Sequence, residues 1–133
     1  MQVYQAPLRD MQFVLHELFA DEGFAAELEA FADFTPDVLD AVLEQAARVA
    51  QDVLLPLNAS GDQEGCVLEN GVVRTPKGFK EAYAQFCADG WAALASDPEW
   101  GGQGLPERIN KMVEEMICSA RVCPSGSTRW SRR

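Results

Sequence analysis

The sequence predicts a mainly α protein, a helical bundle of about five helices with one short β-hairpin. Apolar residues recur every three or four positions along several segments, and this spacing is typical of amphipathic helices. An Asn-Gly pair between two short apolar runs predicts the hairpin turn. The chain has 133 residues, 47% of them hydrophobic, which is enough for one domain with its own core.

Two helices are predicted in the first 32 residues. The first covers residues 10–19, after Pro7, and its apolar stripe consists of Met11, Val14, Leu15, Leu18 and Phe19. A second, short helix is expected in the acidic, Ala-rich stretch 22–32. Each is expected to bury one face in the bundle.

The third helix begins at the sequence Thr-Pro-Asp, residues 35–37, which combines three start signals. Thr suits the capping position, Pro the first helical position, and Asp the positive end of the helix dipole. The apolar face then extends over residues 38–54. Pro56 is predicted to end the helix because proline lacks the N–H that a helix interior needs. A polar loop is expected over residues 57–65.

The hairpin and two further helices are predicted after this loop. Asn70-Gly71 favours a type I′ turn because both of its positions need a positive φ. Thr75-Pro76 repeats the capped helix start, and Gly90 is suited to end the fourth helix. The apolar residues of that helix are Phe79, Ala82, Tyr83 and Phe86.

The last third of the chain contains a loop and the fifth helix. Residues 91–95 are apolar without a clear period, and residues 97–106 are rich in turn-forming types. The fifth helix has Ile109, Met112, Val113, Met116 and Ile117 on one face.

The charge balance excludes several classes of protein. The 11 basic and 21 acidic residues give a formal net charge of −10. This balance argues against a nucleic-acid-binding protein and against adsorption to an anionic membrane. No apolar run is long enough to span a bilayer, and no secretory signal or Arg-rich transit peptide is present. We therefore expect a cytoplasmic protein without a membrane span.

The charge is also unevenly distributed. Residues 1–118 hold all 21 acidic and seven basic residues, a formal charge of −14. Residues 119–133 form an Arg/Ser-rich tail without acidic residues, and its basic residues are Arg121, Arg129, Arg132 and Arg133. Pro124 and Gly126 break regular structure there. We therefore expect a helical domain at 1–118 and a disordered tail at 119–133.

The glycine cluster Gly101-Gly102-Gln103-Gly104 is the first candidate for chemistry. A phosphate-binding loop follows a strand and presents free N–H groups at a helix start. Here no convincing strand precedes the cluster and no Gly-Lys-Ser/Thr follows it. A sharp turn that lets two backbone segments approach closely is favoured, with Trp91 and Trp100 packed over it.

The other candidate residues also lack the pattern of a catalytic or metal-binding site. His16, the only histidine, lies on the polar side of the first helix without an evident partner, and Glu114 and Glu115 are expected to face solvent. The cysteines lack the spacing and histidine partners of a zinc site and are expected to be ordinary thiols; they are Cys66, Cys87, Cys118 and Cys123. The residues alone predict no catalytic, cofactor-binding or metal-binding site.

Several segments, taken together in their order and spacing, are specific. Three of them are Gly78-Phe79-Lys80-Glu81-Ala82-Tyr83, Gly90-Trp91 and Asp97-Pro98-Glu99-Trp100-Gly101-Gly102-Gln103-Gly104-Leu105-Pro106. The others are the opening Tyr4-Gln5-Ala6-Pro7-Leu8-Arg9-Asp10-Met11-Gln12-Phe13-Val14-Leu15, Val53-Leu54-Leu55-Pro56-Leu57-Asn58 and Gly61-Asp62-Gln63-Glu64-Gly65. With them the chain resembles the acyl-CoA dehydrogenase family, and within it the larger bacterial subgroup that includes 3-methylmercaptopropionyl-CoA dehydrogenases. The resemblance covers residues 4 to about 120.

The resemblance implies the N-terminal helical domain of a three-part flavoprotein. The family oxidises acyl-CoA thioesters: a Glu base removes the α proton, FAD accepts the β hydride, and electron-transfer flavoprotein is the implied partner. The base and most of the FAD site lie in a middle β domain and a C-terminal helical bundle, which this sequence does not match. We therefore expect no FAD binding or catalysis by this chain alone, and self-association through exposed apolar surface.

The family pattern is lost at Ser119-Ala120. The Arg, Ser, Cys and Pro residues that follow are typical of GC-rich DNA read out of frame, so one hypothesis is a frameshift. It predicts that another downstream frame encodes the β domain and the helical bundle. Two alternatives are a short helical scaffold or docking module without catalysis, and an Arg-rich arm that binds nucleic acid or phosphate. The charge of the first 118 residues weakens the last alternative.

Overall fold

The computed structural model describes residues 4–18 and 33–120, and the mainly α fold with one hairpin is confirmed. Four helices are present in these ranges, together with 3-10 turns at Trp91–Ala93 and Pro98–Trp100. Helix α1 is α-helical over Leu8–Phe13 and π-helical over Val14–Leu18. Helix α2 is α-helical over Pro36–Arg48, π-helical over Val49–Leu54 and α-helical again over Leu55–Glu64. The remaining elements are strands β1 (Val67–Glu69) and β2 (Val72–Arg74) and helices α3 (Phe79–Ala88) and α4 (Glu107–Ala120). The helix predicted over 22–32 lies outside the described residues.

Helix α2 continues through Pro56, so the predicted helix end at Pro56 and the polar loop over 57–65 are wrong. The π-helical turn over Val49–Leu54 shifts the hydrogen-bond register ahead of the proline. Pro56 then falls in the first turn of the segment Leu55–Glu64, where its missing N–H is no loss. The helix ends instead at Gly65, which has a φ of 66°.

The two predicted Thr-Pro helix starts differ in the structure. Thr35 does precede α2, but its side chain makes no capping hydrogen bond. Helix α3 begins only at Phe79, so Thr75-Pro76 does not cap it. Gly78 holds the capping position with a φ of 83°, a conformation that glycine adopts without strain.

The core lies between α2 and α4. Leu43 on α2 and Ile109, Val113 and Met116 on α4 are almost completely buried. Leu94 and Leu105, from the two sides of the Gly-rich loop, extend this core. Ala120, the last residue of α4, is also buried. The rest of the tail, 121–133, lies outside the described residues.

The hairpin forms as the Asn-Gly pair predicts. Asn70 and Gly71 have φ values of 51° and 78°, as a type I′ turn requires. The strands are antiparallel, with Val67 opposite Arg74, Leu68 opposite Val73, and Glu69 opposite Val72.

Candidate functional site

The Gly-rich turn folds back on the segment that precedes it. The N–H of Gln103 donates to Ala93 O at 3.1 Å, that of Gly104 to Ser96 O at 3.0 Å, and that of Leu105 to Leu94 O at 2.9 Å. A Cβ at Gly102 would overlap the Ser96 carbonyl oxygen, so only glycine fits there. The predicted close approach of two backbone segments is confirmed.

The backbone donors of this turn are all used internally. Gly101 donates to Pro98 O at 3.0 Å and Gly102 to Asp97 O at 3.1 Å, in addition to the bonds of Gln103 and Gly104. A phosphate-binding loop must instead offer free N–H groups to the anion. The turn therefore does not fit a phosphate, and this includes the pyrophosphate of FAD.

The two tryptophans differ in environment. Trp91 is half-buried and packs against the core. Trp100 is 85% exposed, so the expectation that it packs over the turn is wrong. It lies at the end of the 3-10 turn Pro98–Trp100, in which the N–H of Glu99 donates to Asp97 Oδ1 and that of Trp100 to Asp97 O.

His16 has a partner that the sequence did not indicate. Its Nε2 lies 2.7 Å from Asp40 Oδ1, and this contact joins α1 to α2. The expectation of a solvated histidine without a partner is wrong, because the two residues are 24 positions apart and no local spacing relates them. Within the described residues, no nucleophilic side chain forms a hydrogen bond with His16 or Asp40, so the pair serves as a contact between the two helices.

The paired acids of α4 serve as surface groups. Glu115 is exposed, and Glu114 accepts a bond from Lys111 Nζ at 2.8 Å. The hydrogen bonds from Lys111 to Glu114 and Glu107 raise the pKa of the lysine. Lys111 thus forms exposed ion pairs with Glu107 and Glu114, of the kind that contributes little to stability.

Tyr4 is the polar group that sequence reasoning missed. Its hydroxyl is buried and has no hydrogen-bond partner within the described residues. Burial raises the pKa of Tyr4 above its ordinary value of 10.0, and the charge of Glu115 adds to this shift. The aromatic ring packs against the core, so the signal in the sequence is that of a core residue.

Within residues 4–18 and 33–120, no group of His, Cys, Asp or Glu is arranged to hold a metal ion. Cys66, Cys87 and Cys118 are exposed free thiols, and Cys123 lies outside these ranges. None of the helices described is long and apolar enough to cross a membrane.

Comparison with known proteins identifies relatives of this fold. The chain is 38% identical over 125 residues to the 3-methylmercaptopropionyl-CoA dehydrogenase of Ruegeria pomeroyi, a match that covers 91% of the chain and 21% of that protein. It is 34% identical over 98 residues to the butyryl-CoA dehydrogenase of Syntrophomonas wolfei, covering 71% of the chain and 16% of that protein. No family model matches. The chain thus spans about a fifth of the length of these relatives. By this homology, which agrees with the helical fold, the chain belongs to the acyl-CoA dehydrogenase family.

Proposed function

We propose that this chain is the N-terminal helical part of a flavin-dependent acyl-CoA dehydrogenase and has no dehydrogenase activity by itself. The observation that carries the proposal is the alignment of 125 residues at 38% identity, over 91% of this chain but 21% of the relative. The whole enzyme would oxidise acyl-CoA thioesters in the cytoplasm and pass electrons from FAD to electron-transfer flavoprotein. The two relatives are named for different acyl-CoA substrates, 3-methylmercaptopropionyl-CoA and butyryl-CoA.

The described residues support the absence of catalysis. A base for α-proton removal must lie in a site that excludes water and also holds the substrate. Glu114 and Glu115 are at the surface instead, and His16 is paired with Asp40. The Gly-rich turn does not fit the pyrophosphate of FAD, so no step of the reaction is assigned to this chain.

A chimera tests the proposal. Residues 4–120 of this chain replace the matched segment of the Ruegeria enzyme, and the purified chimera is assayed for bound FAD and for oxidation of that enzyme's own acyl-CoA substrate. We expect both properties to be retained, because the chain would supply the same helical part. A chimera that is folded by circular dichroism yet has neither FAD nor activity would overturn the proposal.

A further inference from the structure

The turn of the hairpin is exposed to solvent. Asn70 and Gly71 are both exposed, and so are all six residues of the two strands. A Cβ placed on Gly71 would meet no atom within 4 Å. Among the described residues, none forms a hydrogen bond with the side-chain amide of Asn70 or with the N–H of Gly71. The amide and the nitrogen that follows it are therefore both available for reaction.

An asparagine side chain can be attacked by the backbone nitrogen of the next residue. The nitrogen loses its proton to hydroxide and bonds to the side-chain carbon Cγ, the Cγ–Nδ2 bond breaks, and ammonia leaves. Water then opens the resulting cyclic imide at either carbonyl carbon and gives aspartate or isoaspartate. The net reaction consumes one water and releases one ammonia, without oxidation or reduction. A following glycine favours the attack because no Cβ obstructs its nitrogen.

The hairpin must open before this attack can occur. The φ values of 51° at Asn70 and 78° at Gly71 belong to the closed type I′ turn. The Gly71 nitrogen reaches Cγ only after rotation about the Cα–C bond of Asn70, which separates the strands. An isolated two-stranded hairpin is marginally stable in water, and this one has no buried strand residue, so local opening is frequent.

We propose that Asn70 is a site of spontaneous deamidation, and that the isoaspartate formed there keeps the hairpin open. Isoaspartate carries the backbone through its Cβ and Cγ atoms, so the turn gains one backbone atom. The two-residue turn that pairs Glu69 with Val72 then no longer closes. The new carboxylate also lies beside Glu69, in a chain that already has a net charge of −10. Repulsion between these carboxylates opposes closure further.

The other asparagines of the chain lie in helices. Asn58 is in α2 and Asn110 in α4, where the N–H of the next residue belongs to the hydrogen-bond ladder of the helix. The Asn110 side chain also donates to Glu107 at 3.3 Å and to Glu114 at 3.5 Å. Attack at either position requires unwinding of a helix, so the same chemistry is expected to be slow there.

The Asp89–Gly90 pair shows how folding can block this reaction. An aspartate before glycine forms the same imide, with loss of water instead of ammonia. Here the Gly90 N–H donates to Cys87 O at 3.1 Å, and a Cβ at Gly90 would overlap Gln103 Nε2. These contacts hold the nitrogen in place. The hairpin turn has no comparable contacts among the described residues, so the reaction is expected at Asn70 and not at Asp89.

The test follows the purified 133-residue chain during incubation at mildly alkaline pH, in which hydroxide promotes the attack. Samples are digested with trypsin at mildly acidic pH, where the attack is slow. The peptide 49–74 contains both Asn58 and Asn70, so fragmentation in the mass spectrometer compares the two positions within one peptide. Deamidation adds about 1 Da, the difference between NH2 and OH. Labelling by an isoaspartate methyltransferase measures how much isoaspartate is formed.

We expect deamidation at Asn70 to be at least about tenfold faster than at Asn58 or Asn110, because only the helical positions need unwinding. Asn70→Gln should abolish methyl labelling, since attack on the longer side chain requires a six-membered ring. The matched variant Asn110→Gln should leave the labelling unchanged. Fragmentation locates the reaction in the wild type, so this result does not depend on how either variant folds.

Opening of the hairpin is measured on the native chain. Brief tryptic digestion after Arg74 should be about threefold faster for the incubated chain than for the fresh chain, because cleavage follows the population of the open form. Equal, slow deamidation at the three asparagines would overturn the inference, since the hairpin would then protect Asn70 as well as a helix does. Deamidation at Asn70 without faster cleavage after Arg74 would overturn the opening of the hairpin by isoaspartate.

Discussion

The hairpin and the Gly-rich turn both reverse the direction of the chain, but they do so for different reasons. The hairpin depends on Asn70 and Gly71, whose positive φ values close a ladder that has no buried residue. The Gly-rich turn depends on tertiary contact, since its residues donate to Ala93, Leu94 and Ser96 and bury Leu105. One reversal is therefore encoded locally, and the other exists only within the folded domain.

The largest expected difference in the free energy of unfolding is between a Leu→Ala substitution beside the Gly-rich turn and one in the hairpin. Leu105→Ala should reduce the free energy of unfolding by about 2 to 5 kcal/mol, because it leaves a cavity beside Leu94 in the core. Leu68→Ala on the exposed hairpin should change it by about 0.5 kcal/mol or less. Urea unfolding of the full chain measures both, and equal losses would contradict the comparison.

A pair of glycine substitutions should have a smaller effect. Gly102→Ala forces a Cβ against the Ser96 carbonyl oxygen and should cost about 3 kcal/mol. Gly71→Ala meets no atom within 4 Å but must keep a φ of 78°, and should cost about 1 to 2 kcal/mol. The same urea titration compares them. A Gly102 variant as stable as the wild type would show that the turn can move away from residue 96.

Tyr4 should give the smallest effect, with the opposite sign. Its buried hydroxyl has no partner within the described residues, so Tyr4→Phe should stabilise the chain by about 1 kcal/mol near neutral pH. The raised pKa also means that folding favours the neutral phenol. The wild type should therefore lose stability as the pH rises above 10.0, more than the variant does. Thermal melts of both proteins across this pH range measure the difference. If their stabilities do not diverge, the burial of the Tyr4 hydroxyl is contradicted.

The sequence predicted the elements that depend on neighbouring residues along the chain. The apolar stripes located the four described helices, and Asn70-Gly71 located the hairpin, because each depends on neighbours in the sequence. The continuation of α2 through Pro56 was missed, since it depends on a π-helical turn that no local signal announces. The His16–Asp40 contact was missed for a similar reason, because it forms only when two helices pack.

The features of the candidate site were also predicted only in part. The sequence indicated that Gly101–Gly104 forms a close turn rather than a phosphate loop, and the hydrogen bonds agree. It did not indicate the outward position of Trp100 or the buried hydroxyl of Tyr4, because solvent exposure is set by the assembled core. The family resemblance came from the order and spacing of several motifs, each of them moderately specific by itself.

The most direct test of the account is whether the isolated chain retains a flavin. The 133-residue chain is purified, incubated with excess FAD, desalted, and examined for the flavin absorption band at about 450 nm. We predict a colourless protein, because the donors of its Gly-rich turn are used internally and no flavin site is expected in this part of the enzyme. A flavin band that survives desalting would contradict the account and identify the chain as a small flavoprotein in its own right.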